Sequence, residues 1–137
     1  MSAPRRRLAA AALGVITVVA GLAVHALLPD SVVTDVAGDA LYALLIVLGV
    51  IVVAPRMRSL AVGAIALVWC AGVEIFQLSG LPVRWAEHVP PVALVFGTGF
   101  DARDLLVYAA SIAVAVGVDA LVRRRAGVDR RAFGQAR

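Results

Sequence analysis

The chain has 137 residues, 62% of them hydrophobic and 16% charged, where a soluble globular domain has roughly half and about a quarter. With a mean hydropathy of +0.95, it is excluded from the ordinary soluble enzymes, the disordered chains and the disulfide scaffolds, and reads as an integral membrane protein. The net charge is +4 and the basic side is all arginine, but those arginines flank apolar runs and few aromatics interleave with them, so no nucleic-acid partner is expected.

The first apolar run, Leu8 to Leu28, follows Arg5-Arg6-Arg7 and is broken only by Thr17 and His25. At about 1.5 Å per residue it spans a hydrocarbon core of roughly 30 Å. The same start resembles a signal peptide, with Val24-His25-Ala26 as a passable cleavage site. The run exceeds the usual ~7–15-residue signal core, so it is read as a retained first helix. Pro29 to Asp39 is an acidic connection with no basic residue. A second run covers Ala40 to Ala54 and extends back through Val36. Pro55 to Ser59 carries Arg56 and Arg58.

The third run, Leu60 to Leu78, carries Glu74 and Gln77 near its end. Ser79 to Asp104 is a long connection, where Pro82, Pro90, Pro91 and Gly97-Thr98-Gly99 stop helices. Its Val92 to Phe96 stretch is too short to span and is read as a surface or re-entrant segment. The fourth run, Leu105 to Val122, carries Tyr108, Ser111 and Asp119. No run alternates with period two. Backbone groups in lipid must be satisfied within their own segment, so all four read as helices.

The expected fold class is an all-α integral membrane protein, a four-transmembrane-helix bundle. Arginine density at the amino terminus, the second connection and the tail places both termini in the cytoplasm. The acidic first connection and the long third one then lie outside. Residues 1–7 form a basic cytoplasmic start, 8–125 the four-helix membrane domain and 126–137 a flexible cytoplasmic tail. Cys70 lies alone in an apolar run and is read as a small packed residue. No His or Cys pair has metal-ligand spacing, so neither metal nor cofactor is expected.

The informative residues are the polar ones that the apolar runs tolerate. His25 ends helix one, and Asp39 and Tyr42 begin helix two. Glu74 and Gln77 share a face at the end of helix three. Asp101 and Asp104 precede helix four, with Tyr108 one turn on. All fall within about two turns of the outer surface. The candidate ligand-binding cluster is Asp39, Glu74, Gln77, Arg84, Asp104, Tyr108 and His25.

A charge at Glu74 inside hydrocarbon costs a few kcal/mol, so it should face the bundle and find a partner among Arg84, Arg103 and His25. It is either a ligand-holding or proton-accepting carboxylate, or a packing ion pair near the interface. Gln77 is expected to steady Glu74 or a loop carbonyl. Asp39 and Asp104 read first as helix N-caps. Asp119 and Arg123 read as a surface pair at i and i+4. Small residues at Ala10/Gly14 and Ser111/Ala115 would allow close helix approach.

The ordered set Gly38-Asp39-Ala40-Leu41-Tyr42, Glu74-Ile75-Phe76-Gln77-Leu78, Gly97-Thr98-Gly99-Phe100 and Asp104-Leu105-Leu106-Val107-Tyr108 resembles a small bacterial membrane family, domain of unknown function two-eight-zero-nine. The family often has Trp at the position of Tyr42, and glycines where this chain has Ser111 and Ala115. The layout is also similar to VanZ-like proteins, which carry Glu-x-x-Gln and a later Arg and Asp. This chain lacks the asparagine that those proteins have in the last helix. The VanZ-like resemblance implies a link to the cell envelope.

The first functional reading is therefore a multi-pass protein of a bacterial cytoplasmic membrane, with an outward-facing polar site for an envelope or lipid-linked molecule. Its partners would be the lipid bilayer, that molecule, and a second copy or another membrane protein. The alternatives are an enzyme using Glu74 with Asp39 or Asp104 on an envelope lipid, and an accessory subunit of a membrane complex. No inverted repeat or broken helix points to a complete transporter.

The orientation is directly testable. With Cys70 replaced, cysteines at Asp35 and Glu87 should react with an impermeant thiol reagent in intact cells, and one at Met57 should not. Labelling at Met57 alone would reverse the orientation.

Overall fold

The computed structural model describes the backbone of residues 2–97 and 99–134, and side chains to residue 126 of the last helix. Among the described residues the order is α1 (Ala3–Leu27), α2 (Val32–Val53), α3 (Ser59–Gln77), α4 (Leu81–His88), α5 (Val92–Phe96) and α6 (Ala102–Gly134). The helices α1, α2 and α3, with Ala102–Ala126 of α6, are each long and apolar enough to cross a membrane. The chain is an all-helical, multi-pass membrane protein. The tail read as flexible, 126–137, falls almost wholly on side chains outside the described ones.

The helices α1, α2 and α6 begin before their apolar runs, while α3 matches its run to within one residue. The clearest case is α2. The Ser31 hydroxyl accepts from the Thr34 amide at 3.3 Å, and the Thr34 hydroxyl accepts from the Ser31 amide at 2.8 Å. This reciprocal cap starts α2 at Val32, so Asp39 lies inside the helix and is not the expected cap. The cap of α6 is also displaced from the expected residue. The Asp101 carboxylate accepts from the Arg103 amide at 2.8 Å, which leaves Asp104 in the first turn.

The third connection holds two short helices. Proline was read as a stop throughout it, yet Pro82 lies in the first turn of α4, where its missing amide costs nothing. Gly80, at φ 67°, turns the chain from α3 into α4. Val92 to Phe96, read as a surface or re-entrant segment, forms the single-turn α5.

Three of the long helices, α2, α3 and α6, pack on one another, and α1 packs along α2 alone. Their shared core includes Ala43, Val47, Val62, Ala66, Tyr108 and Ile112. Cys70 is buried within it as expected. Large apolar side chains such as Leu8, Leu60 and Val114 point outward, as suits lipid contact. A β-carbon at Gly63 would come within 2.7 Å of Val116 Cγ2. That close α3–α6 approach was not picked out from the sequence. Of the small-residue pair expected to pack, Ala10 is buried and Gly14 faces Leu45, both on the α1–α2 seam.

The arginine end is closed by a polar knot. Arg6 forks onto Asp119, Nε to Oδ1 at 2.9 Å and Nη2 to Oδ2 at 2.6 Å. Its Nη1 donates to the carbonyls of Pro55 and Met57 at 2.8 and 2.9 Å. Ser59 Oγ also donates to Asp119, at 2.5 Å. The expected Asp119–Arg123 surface pair is not the arrangement found. Asp119 turns inward to Arg6, and Arg123 donates to the Met57 carbonyl at 2.7 Å. The reason is geometric: the α2–α3 turn presents the Pro55 and Met57 carbonyls, and both Arg6 and Arg123 reach across to them.

Arg6 is only 3% exposed. Asp119→Ala would leave it without its counter-charge, a loss of about 3–5 kcal/mol where such a pair is buried, and less at an end open to water. The melting temperature in detergent should fall. The Arg6→Met/Asp119→Leu double variant should recover only part of the loss, because the Pro55 carbonyl then loses its Arg6 donor. If Asp119→Ala melts like the parent, the knot contributes nothing to stability.

Candidate functional site

The opposite end gathers the end of α1, the start of α2, the end of α3 and the start of α6. Glu74 is fully buried there. One of its oxygens accepts from the Tyr108 hydroxyl at 3.1 Å, the other from the Asp101 backbone amide at 3.3 Å. The cationic partner expected from the sequence is thus replaced by neutral donors. Asp101 immediately precedes α6, and a carboxylate at a helix N-terminus is favoured by the free amides and the helix dipole. Tyr108, two turns into α6, supplies the second donor. Arg84 sits exposed on α4 and joins none of these bonds.

Gln77 follows Glu74 by one turn and fulfils the loop-carbonyl expectation. Its Nε2 donates to the Phe96 carbonyl at 2.6 Å. Gly97 is required just after it, because its φ is 67° and a β-carbon would run into the Gln77 amide. Phe76 adds apolar contact, with ring centroids 5.5 Å from Trp85 and 5.7 Å from Phe96. These contacts fold α4 and α5 over the end of α3. The other Gln77 amide atom, Oε1, is buried with no partner.

The carboxyl groups of Asp39 of α2 and Asp104 of α6 lie close to each other. Arg103 lies alongside. Its Nε is 3.7 Å from Asp104, and its Nη2 is 3.5 Å from Asp101 and 4.0 Å from Asp35. Tyr42 accepts from Trp69 Nε1 at 3.0 Å, and its ring lies 6.1 Å from that of Tyr108.

A cavity of about 800 Å³ opens at this end, lined by His25, Asp39, Gln77, Asp104 and Tyr108 among others. Glu74 is behind this wall, bonded to its Tyr108. Arg103, Asp35 and Asp30 belong to the wall but were not among the candidates. Asp30 and Asp35 read from sequence as a solvated acidic connection, and only the reach of α2 beyond its apolar run brings Asp35 to the site. A second, apolar space of about 610 Å³ runs toward Arg6, between α1 and α6 over α2. Leu41 lines both spaces. Among the described residues no group of three or more His, Cys, Asp or Glu is placed to hold a metal ion.

Four apolar spans, with an acid-lined cavity at one end, define a multi-pass helical membrane protein. The chain belongs to the family described as Protein of unknown function (DUF2809), whose model matches residues 28–112. The match runs from the turn before α2 into α6 and takes in every candidate site residue except His25. No curated protein and no solved structure matches the chain.

Both Glu74 oxygens accept a hydrogen bond, so Glu74→Gln sets an amide donor against one of two donors. The cost should be about 1–3 kcal/mol for an unsatisfied buried group, read as a lower melting temperature in detergent. Tyr108→Phe removes one donor only and should cost less. Unchanged melting of both variants would mean that Glu74 is solvated and holds nothing together.

Proposed function

We propose that the protein takes the polar head of an envelope or lipid-linked molecule into the acid-lined cavity. In this reading that end faces the outside of a bacterial cytoplasmic membrane. The observation that carries it is Leu41, which lines both the polar cavity and a groove flanked by outward-facing apolar residues such as Leu13 and Val118. A head group can enter without leaving the membrane surface, while its chain stays in apolar surroundings. A cavity of this size is in the usual range for a small-molecule site. The arginine-rich opposite end supports the orientation, and the resemblance to VanZ-like proteins supports the envelope.

A second reading is an enzyme on the same lipid. The Asp39–Asp104 pair supports it, since one carboxyl can give a proton while the other accepts one.

Native mass spectrometry of the gently solubilised protein tests the first reading. One lipid-sized adduct should be retained. Gly21 lines the cavity, and a β-carbon there meets nothing within 4 Å, so Gly21→Leu should fill space and lower the retention without lowering stability. A parent protein free of any adduct, even when lipid extract is added back, would overturn the reading. Chemical change of the retained lipid, abolished by Asp104→Asn, would replace it with the enzymatic one.

A further inference from the structure

We propose that the occupant is a lipid whose head carries a protonated amine, with its hydrocarbon chain lying in the groove between α1 and α6. This rests on the reading of the cavity as a lipid-head site and specifies its chemistry.

The charge of the wall is the first argument. Asp30, Asp35, Asp39 and Asp104 line the cavity against the one arginine there, Arg103. Arg103 is already flanked by the carboxylates of Asp35, Asp101 and Asp104 at 3.5–4.0 Å, so among the described residues an anionic head meets no arginine in the wall that is free of carboxylates. It would also meet the uncompensated carboxylates. A cationic head meets attraction from several sides.

The unpartnered atoms give an independent argument. Gln77 is 9% exposed and lines the cavity. Its Nε2 is committed to the Phe96 carbonyl, and its Oε1 has no partner. A buried acceptor left unmatched costs about 1–3 kcal/mol. Asp104 Oδ1 is also buried without a hydrogen bond, with Arg103 Nε 3.7 Å away. Gln77 Oε1 and Asp104 Oδ1 are acceptors, and the one unpartnered donor among the described residues, Arg103 Nε, already faces the Asp104 carboxylate. An ammonium group has three donors and no acceptor, and so complements them. A sugar or amide head offers only neutral donors, whose bonds to a carboxylate are weaker than those of an ammonium.

The path of the chain follows from the fold. A head in the cavity must send its chain out past Leu41, and the apolar space of about 610 Å³ begins there. Ala9, Ala10 and Leu13 of α1 face Ser111, Val114 and Val118 of α6 across it. The Arg6–Asp119 ion pair ends it. A chain moving from lipid into this groove gains little hydrophobic free energy, because both surroundings are apolar. Selectivity therefore resides in the head.

The test uses the full-length protein in mild detergent and three lipids with identical chains: phosphatidylethanolamine, its N-acetylated derivative and phosphatidylglycerol. Retention is read by native mass spectrometry. Phosphatidylethanolamine should be retained about tenfold better than either other lipid, as one charge-assisted hydrogen bond more would give. Asp104→Asn should erase most of that preference. If Asp104→Asn does not fold, Asp35→Asn, at an exposed wall position, should reduce the preference in the same direction. Ser111→Phe, which fills the groove, should lower retention of all three lipids and leave the ranking unchanged. Equal retention of the three heads, or a preference untouched by the folded wall variants, overturns the amine and leaves a lipid site standing. Full retention by Ser111→Phe overturns the path of the chain. Retention of none of the three, with a lipid adduct from extract still present, overturns the amine alone. No lipid adduct under any condition overturns the lipid site itself.

Discussion

One ion pair decides the shape of this bundle. Arg6 and Asp119 join α1 to α6 at the arginine end, while along the rest of its length α1 packs on α2 alone. The two helices therefore meet through side chains at one end and leave a space between them above it. That space is the apolar groove, and Leu41 lines both it and the polar cavity. A buried pair of this kind is tolerable because the guanidinium also satisfies the Pro55 and Met57 carbonyls. The fork thus answers two needs together: the free carbonyls of the α2–α3 turn and the charge of Asp119.

The acidic end is built by a different device. Glu74 is buried without a cation, held by a phenol and by the amide that opens α6. Gln77, one turn later, holds the end of α5. Two residues of α3 thereby fix the start of α6 and the long connection against the bundle. Apolar side chains gain little by leaving lipid for a helix interface. Polar bonds at the two ends, together with close packing such as Gly63 against Val116, therefore set how the helices are placed. The division is visible along each span, with polar bonds at both ends and small or branched apolar residues between.

This arrangement also separates holding from receiving. Glu74 and Arg6, the most buried charged groups, are committed to the protein itself. The buried polar atoms without a hydrogen bond, Gln77 Oε1, Asp104 Oδ1 and Arg103 Nε, belong to residues of the cavity wall, and the last two face each other at 3.7 Å. A site that keeps its scaffold bonds satisfied and leaves a few acceptors open is suited to a ligand that brings donors.

Much of the architecture was legible in the chain. Four apolar runs without period-two alternation leave helices as the only spanning structure, because lipid offers no partner for an exposed backbone group. The polar residues tolerated at one level, Asp39, Gln77, Asp104, Tyr108 and His25, do line a single cavity. Gln77 was legible even to its kind of partner, a loop carbonyl. The partners of the charges were not. Sequence spacing paired Asp119 with Arg123, since along one helix residues three or four apart are neighbours, and the cost of a charge in hydrocarbon gave Glu74 an arginine or a histidine. The real partners, Arg6 for Asp119 and Tyr108 with the Asp101 amide for Glu74, lie far off in the chain. Only the rotation of each helix about its axis brings them together. That rotation is what hydropathy cannot encode in a membrane, where an apolar face suits lipid as well as it suits a neighbouring helix. The composition and order of the residues determined how many helices cross and at which level the polar groups lie. The tertiary structure alone decided which of those groups face one another, and that α1 stands apart from α6 to leave a groove.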